Sequence, residues 1–187
     1  MWREFNGPLQ LLLGVLNKRG FEYKDIDRVQ AAVDDLAFYE DGALLRVTTP
    51  HDRKYFIMHR GGLLASQVIL WIDGTSDPIH RANRTFGLKL TDDNVIDYLR
   101  FHNGFLVGDC GDPFFVIDTM KGYVIEDKDP PADMTPKITG KDEDGFLVSA
   151  FIRYSWSVFA ADFKVHSRNG LVEMLEDRQL GDLVLLQ

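Results

Sequence analysis

The chain has 187 residues, 45% hydrophobic, 12% aromatic and 27% charged, enough for one domain that buries roughly 70% of its unfolded surface without a disulfide or metal staple. Its single cysteine, Cys110, excludes an internal disulfide, so the fold assumes no oxidising compartment. A net charge of −8 argues against nucleic acid and anionic membrane as partners, and the acidity is regional, with 13 acidic and 5 basic residues between Thr91 and Gly145 and 16 of each elsewhere.

Leu9, Leu12, Leu13 and Leu16 recur at helical spacing; Asn6 can cap this helix, Pro8 suits its first turn and Gly20 can end it. The flanks do not fit an export signal, because Glu4 offsets Arg3 before the leucines and Asn17-Lys18-Arg19 follows them. No run approaches the roughly 20 apolar residues of a membrane-spanning helix, and a cytoplasmic location is expected. Behind Asp27, the spacing of Val29, Ala32, Val33 and Leu36 predicts a second short helix. From Ala37 to Asp73 the signals are β. Phe38-Tyr39 and Ala43 to Thr48 flank the turn-forming Glu40-Asp41-Gly42, and Tyr55 to His59 and Gln67 to Ile72 flank a turn near Gly61-Gly62.

Thr91-Asp92-Asp93 opens the clearest helix, which carries Ile96 and Leu99 along one side and meets a stop at Asn103-Gly104. Pro113 to Asp118 reads as a strand, Lys121-Gly122 as a turn and Tyr123 to Ile125 as a short strand. Glu126 to Gly145 holds Pro130, Pro131 and Pro136 and reads as an irregular acidic loop. The competing readings are an ordered lid or a strand through Ile138. Phe146 to Tyr154 and Phe159 to His166 follow as strands, the second with Phe159, Ala161, Phe163 and Val165 on a dry face; Asn169-Gly170 then turns the chain into Leu171 to Leu175. Tight turns between consecutive strands force antiparallel pairing. The expected architecture is a single α+β domain: a mainly antiparallel sheet of about six to nine strands with two or three helices on one face.

Several chemistries lack their motifs. The only Gly-Lys pair, Gly140-Lys141, precedes Asp142 rather than Ser or Thr, so there is no phosphate-binding glycine loop. There is no His-Glu-x-x-His zinc helix, no Cys-x-x-Cys and no Gly-x-Ser-x-Gly elbow. Asp142-Glu143-Asp144-Gly145 resembles part of a calcium loop, but Gly140 and Phe151 fall where ligands are needed. Cys110 lies between Asp109 and Asp112, which disfavour a thiolate. His102 with Asp109 and Asp112 is a conceivable metal set, although helix-end histidines and turn aspartates seldom form one. No metal or cofactor is expected.

The run from Trp71 to His80 is more informative. A strand exits into Asp73, Thr75, Ser76 and His80, with Arg81 and Arg84 beyond, and such a loop can offer charge and hydrogen bonds to a polar ligand. The commoner reading is a turn whose Asp73, Thr75 and Ser76 satisfy local N–H groups. Arg53, Lys54, His59 and Arg60 bound a neighbouring strand and read as a solvated edge.

Trp71-Ile72-Asp73-Gly74-Thr75-Ser76 with Pro78-Ile79-His80, Tyr98-Leu99-Arg100-Phe101, Gly111-Asp112-Pro113-Phe114, Phe163-Lys164-Val165-His166 and Gly170-Leu171-Val172-Glu173-Met174 resemble a family of uncharacterised bacterial proteins. The resemblance covers roughly the last two-thirds of the chain and implies a bacterial cytoplasmic origin. It carries no activity, ligand or catalytic residue.

The leading expectation is a non-catalytic binding or protein-interaction domain, its partner an unknown protein or small molecule, with a homo-oligomer left open. The alternative is a small-molecule-binding protein or small enzyme with a pocket near residues 73–84, built from Asp73, Thr75, Ser76, His80, Arg81, Arg84 and His102. A third is a regulatory protein whose acidic 91–145 region docks a basic partner. A deep apolar pocket would favour the second and an exposed apolar patch the first.

Overall fold

The computed structural model describes residues 1–63, 68–120, 122–126 and 129–185. Helix α1, Leu9–Asn17, begins after Pro8 and buries Leu12, Leu13 and Leu16. These leucines pack on one face of a five-stranded sheet with Leu45, Val47, Phe56, Met58 and Ile69. The sheet runs β1 (Arg3–Glu4), β2 (Gln30–Asp35), β3 (Gly42–Thr48), β4 (Arg53–His59), β5 (Ile69–Trp71) in spatial order, antiparallel throughout.

Strand β2 replaces the helix predicted at 29–36, and the 3-10 turn Ile26–Arg28 lies just before it. Val29, Ala31 and Val33 alternate onto the α1 face, so this short run fits both periods. Pairing decides between them, because Val33 sits opposite both Arg3 of β1 and Leu45 of β3. Phe38 and Tyr39 form a turn rather than a strand, with Tyr39 making an isolated bridge to Leu88.

Helix α2, Asp77–Thr85, occupies the stretch expected to be a loop. Pro78 fits its first turn, where the missing N–H costs nothing, and Pro78, Ile79, Ala82 and Asn83 form its buried side. With so few apolar residues in that stripe, the polar residues between them hide the period. Helix α3, Val95–Phe105, starts after Asn94, whose side chain accepts the Thr91 N–H at 2.8 Å, and it runs through the expected stop at Gly104.

The second sheet contains β6 (Phe114–Ile117), β7 (Tyr123–Ile125), β8 (Lys137–Lys141), β9 (Gly145–Tyr154), β10 (Ser157–His166) and β11 (Val172–Leu185). Its order is β6-β9-β10-β11-β7, again antiparallel, with β8 on the same edge of β9 as β6. Strand β8 lies inside the segment expected to be irregular; Ile138 pairs opposite Val148, and Met134 is buried in a cluster with Val158 and Leu183. Gln67, Lys121, Asp127 and Lys128, which carry parts of the strand, turn and loop expected there, lie outside the described residues.

One large buried cluster joins the layers. Leu44, Ile57 and Leu70 from the first sheet, Ile79 and Ala82 of α2, Val95, Tyr98 and Leu99 of α3, and Phe146, Val148, Phe163 and Val165 from the second sheet all belong to it. The molecule is α+β with three α-helices and two antiparallel sheets among the described residues. Its strands form two sheets instead of one, and helices cover both faces of the first. Residues 172–182 of β11 pair only with β10 among the described residues. Bulges at Leu175 and Leu180 and the exposed Glu173, Glu176, Asp177 and Arg178 blunt that edge. No described helix is long and apolar enough to cross a membrane.

Candidate functional site

The predicted polar loop folds largely onto itself. Asp73 accepts the Thr75 N–H at 3.0 Å and the Thr75 hydroxyl at 2.7 Å. These two bonds, the hydroxyl's first, hold its carboxyl below the usual carboxylate range. Ser76 occupies the N-cap of α2 without a side-chain cap bond, and its carbonyl accepts the His80 N–H at 2.9 Å. Arg81 and Arg84 point to solvent.

His80 and His102 do come together, from α2 and α3, with ring centroids 6.2 Å apart. His80 is half-buried, whereas His102 is 4% exposed and bonded through Nδ1 to Asn103 Oδ1 at 3.0 Å. Burial pushes His102 down to about 4; the Asn103 bond opposes this and His80 adds to it. The ring is therefore neutral at physiological pH, and no carboxylate is bonded to it among the described residues. Asp109 and Asp112 lie exposed in the next loop, and no group of three His, Cys, Asp or Glu residues gathers anywhere among the described residues. Cys110 is exposed in that loop, where its N–H donates to Tyr154 Oη at 2.8 Å.

A buried polar knot beside this pair was not anticipated. Asn83 Oδ1 accepts from Tyr39 Oη at 2.7 Å, and its Nδ2 donates to Tyr98 Oη at 2.8 Å and to the Asn169 carbonyl at 2.9 Å. Tyr98 in turn donates to the Gly170 carbonyl at 2.6 Å. Burial pushes both phenols up, so they stay donors across the working pH range. The knot ties α2, α3 and the β10–β11 turn together.

A surface trough of about 580 Å3 opens where the β4–β5 edge approaches the end of α3 and β6. Tyr55, Trp71, Phe105, Val107, Pro113 and Phe115 give it an apolar lining, Arg53 and Lys54 stand at its rim, and Asp73 and Gly74 form one end. A second trough of about 260 Å3 shares Pro113 and Phe115 and ends at Arg153 and Trp156. Trp71 is 45% exposed, Val107 49%, Phe115 39% and Trp156 59%. Trp156 sits at the tip of the β9–β10 hairpin beside Ser155, whose φ of 52° is one a side chain rarely adopts. The Arg153 guanidinium lies over Phe115 at 4.9 Å and Tyr123 at 5.8 Å.

Only Asp73 of the predicted site residues reaches this groove. The sequence carries only weak signals for Trp71 and Trp156: the first ends its strand, and the second is an apolar residue between two serines. Their union with Phe115 depends on the meeting of two sheets. In a further trough of about 470 Å3 on the second sheet, part of the polar lining is already paired: Lys137 holds Asp133 at 2.6 Å and Ser149 holds Asp162. The chain matches no family model, no curated protein and no solved structure.

Proposed function

We propose that this chain is a non-catalytic binding domain that engages another protein through the groove running from Trp71 over Phe115 to Trp156. The observation that carries this reading is the alignment of four large exposed apolar side chains along two troughs that share Pro113 and Phe115. Contiguous exposed apolar surface marks interaction sites, and tryptophan anchors dominate interface energetics. The predicted polar residues support it indirectly, because Asp73 is occupied by Thr75 and His102 is sealed in the core.

Panning a random peptide display library on the protein, with a Trp71→Ala/Phe115→Ala double variant as counter-target, tests the reading. Clones that bind the wild type and lose the double variant support it. No enrichment, or clones indifferent to the two substitutions, overturns it.

A second reading has one observation in its favour. Asp73 and Gly74 line the larger trough, whose volume falls within the roughly 300–1,000 Å3 of small-molecule sites. A fragment screen by thermal shift, repeated on Trp71→Ala, separates the two. A bacterial cytoplasmic setting belongs to the same proposal, resting on the single cysteine and the stated resemblance. The acidic net charge supports partners other than nucleic acid.

A further inference from the structure

We infer that the groove's partner is an extended acidic peptide segment carrying proline or aromatic side chains, laid from Trp71 across Phe115 to Trp156; this rests on the protein-binding reading above. Charge supplies the first argument. Arg53 and Arg153, one in each trough, have no carboxylate partner among the described residues, and Arg153 is held by the Phe115 and Tyr123 rings. The carboxylates lining the larger trough are already occupied, Asp52 by Lys54 and Asp73 by Thr75; Asp112, in the smaller one, is the exception. Of the three open charges that the groove offers a ligand, Arg53 and Arg153 are positive and only Asp112 is negative. Because the whole protein carries −8, general electrostatics repels an acidic chain, and any preference for one must come from these local groups.

Shape supplies the second argument. The two troughs are open to solvent and adjoin at Pro113 and Phe115, which line both. Strands β4, through Arg53 and Lys54, and β6, through Phe115, both contribute to the lining of the larger one. Strand β5 pairs with Phe56 to Met58 of β4, so Arg53 and Lys54 extend beyond it, and β6 pairs on one side only among the described residues. A groove with aromatic walls and free strand edges suits an extended backbone, whose side chains drop alternately into pockets.

The test starts from the clones selected above. The most enriched sequence is synthesised as a fluorescein-labelled peptide of roughly ten residues and titrated by polarisation. The expected clones are rich in Asp or Glu beside Pro or aromatic residues. An Arg53→Glu/Arg153→Glu variant should weaken the peptide by about tenfold or more, and a Lys-for-acid version of the peptide should prefer that variant to the wild type. An Arg53→Gln/Arg153→Gln variant, with its melting temperature checked, covers the case in which charge reversal harms folding. Clones that need Trp71 and Phe115 but show no acidic bias, and bind both arginine variants equally, overturn the acidic assignment while leaving the groove as a docking site. The absence of Trp71-dependent clones overturns both.

Discussion

Replacing Asn83 with alanine tests whether the buried polar knot holds the helices to the second sheet. Asn83 is 5% exposed, and the Tyr39 and Tyr98 residues it joins are 2% and 0% exposed. Truncation removes bonds to Tyr39, Tyr98 and Asn169. Tyr98 keeps its bond to the Gly170 carbonyl, but the Tyr39 hydroxyl is left without its acceptor in the core. An orphaned buried donor costs about 1–3 kcal/mol and each ordinary bond about 1 kcal/mol, so the expected loss is about 3–5 kcal/mol. For a chain of this length that lowers the melting temperature by about 10 °C. Urea unfolding followed by circular dichroism and tryptophan fluorescence gives the free energy directly. Tyr39→Phe in the wild type should cost about 1–3 kcal/mol, because it strips a partner from Asn83. In the Asn83→Ala background it should cost almost nothing, so the two substitutions should couple by at least about 1 kcal/mol. A loss below about 1 kcal/mol for Asn83→Ala, or strict additivity with Tyr39→Phe, would show that the knot contributes little.

His102 predicts a stability slope in acid. The unfolded imidazole takes a proton near 6.5 and the buried one only near 4, so its contribution is full above about pH 6.5 and is lost as the pH falls towards 4, by about 3 kcal/mol in all. His102→Gln should flatten that part of the stability–pH curve in denaturant titrations. Gly170→Ala should cost about 2–5 kcal/mol, since φ is +69° and a Cβ would lie 2.4 Å from both Asn83 Nδ2 and Tyr98 Oη; a wild-type urea midpoint would contradict this. Tyr23 Oη is buried without a hydrogen-bond partner among the described residues, so Tyr23→Phe should leave stability within about 1 kcal/mol of wild type or raise it. Deleting Met134 to Lys141 removes a buried methionine and strand β8 and should cost more than about 3 kcal/mol, whereas shortening the largely exposed, irregular stretch at 129–132 should be nearly neutral by thermal melt.

Local signals in this chain speak for elements whose pattern is uninterrupted. The leucines of α1, the alternation of β10 from Phe159 to Val165, and the Asn169-Gly170 turn are each carried by adjacent residues, so the antiparallel α+β class was legible without any long-range contact. The misreadings fall where one short pattern serves two structures. Val29 to Leu36 fits a helix or a strand, and Leu45 opposite Val33 makes it a strand. The 77–85 stretch shows too few apolar residues to announce a helix, and it becomes one because Ile79 and Ala82 meet a core assembled from both sheets. The candidate site divides along the same line. Spacing placed Asp73 beside Thr75, a contact between neighbours in the chain. The groove instead joins Arg53, Trp71, Val107, Phe115 and Trp156 from five separate segments, and only tertiary packing brings such residues together, because no periodicity connects side chains on different sheets.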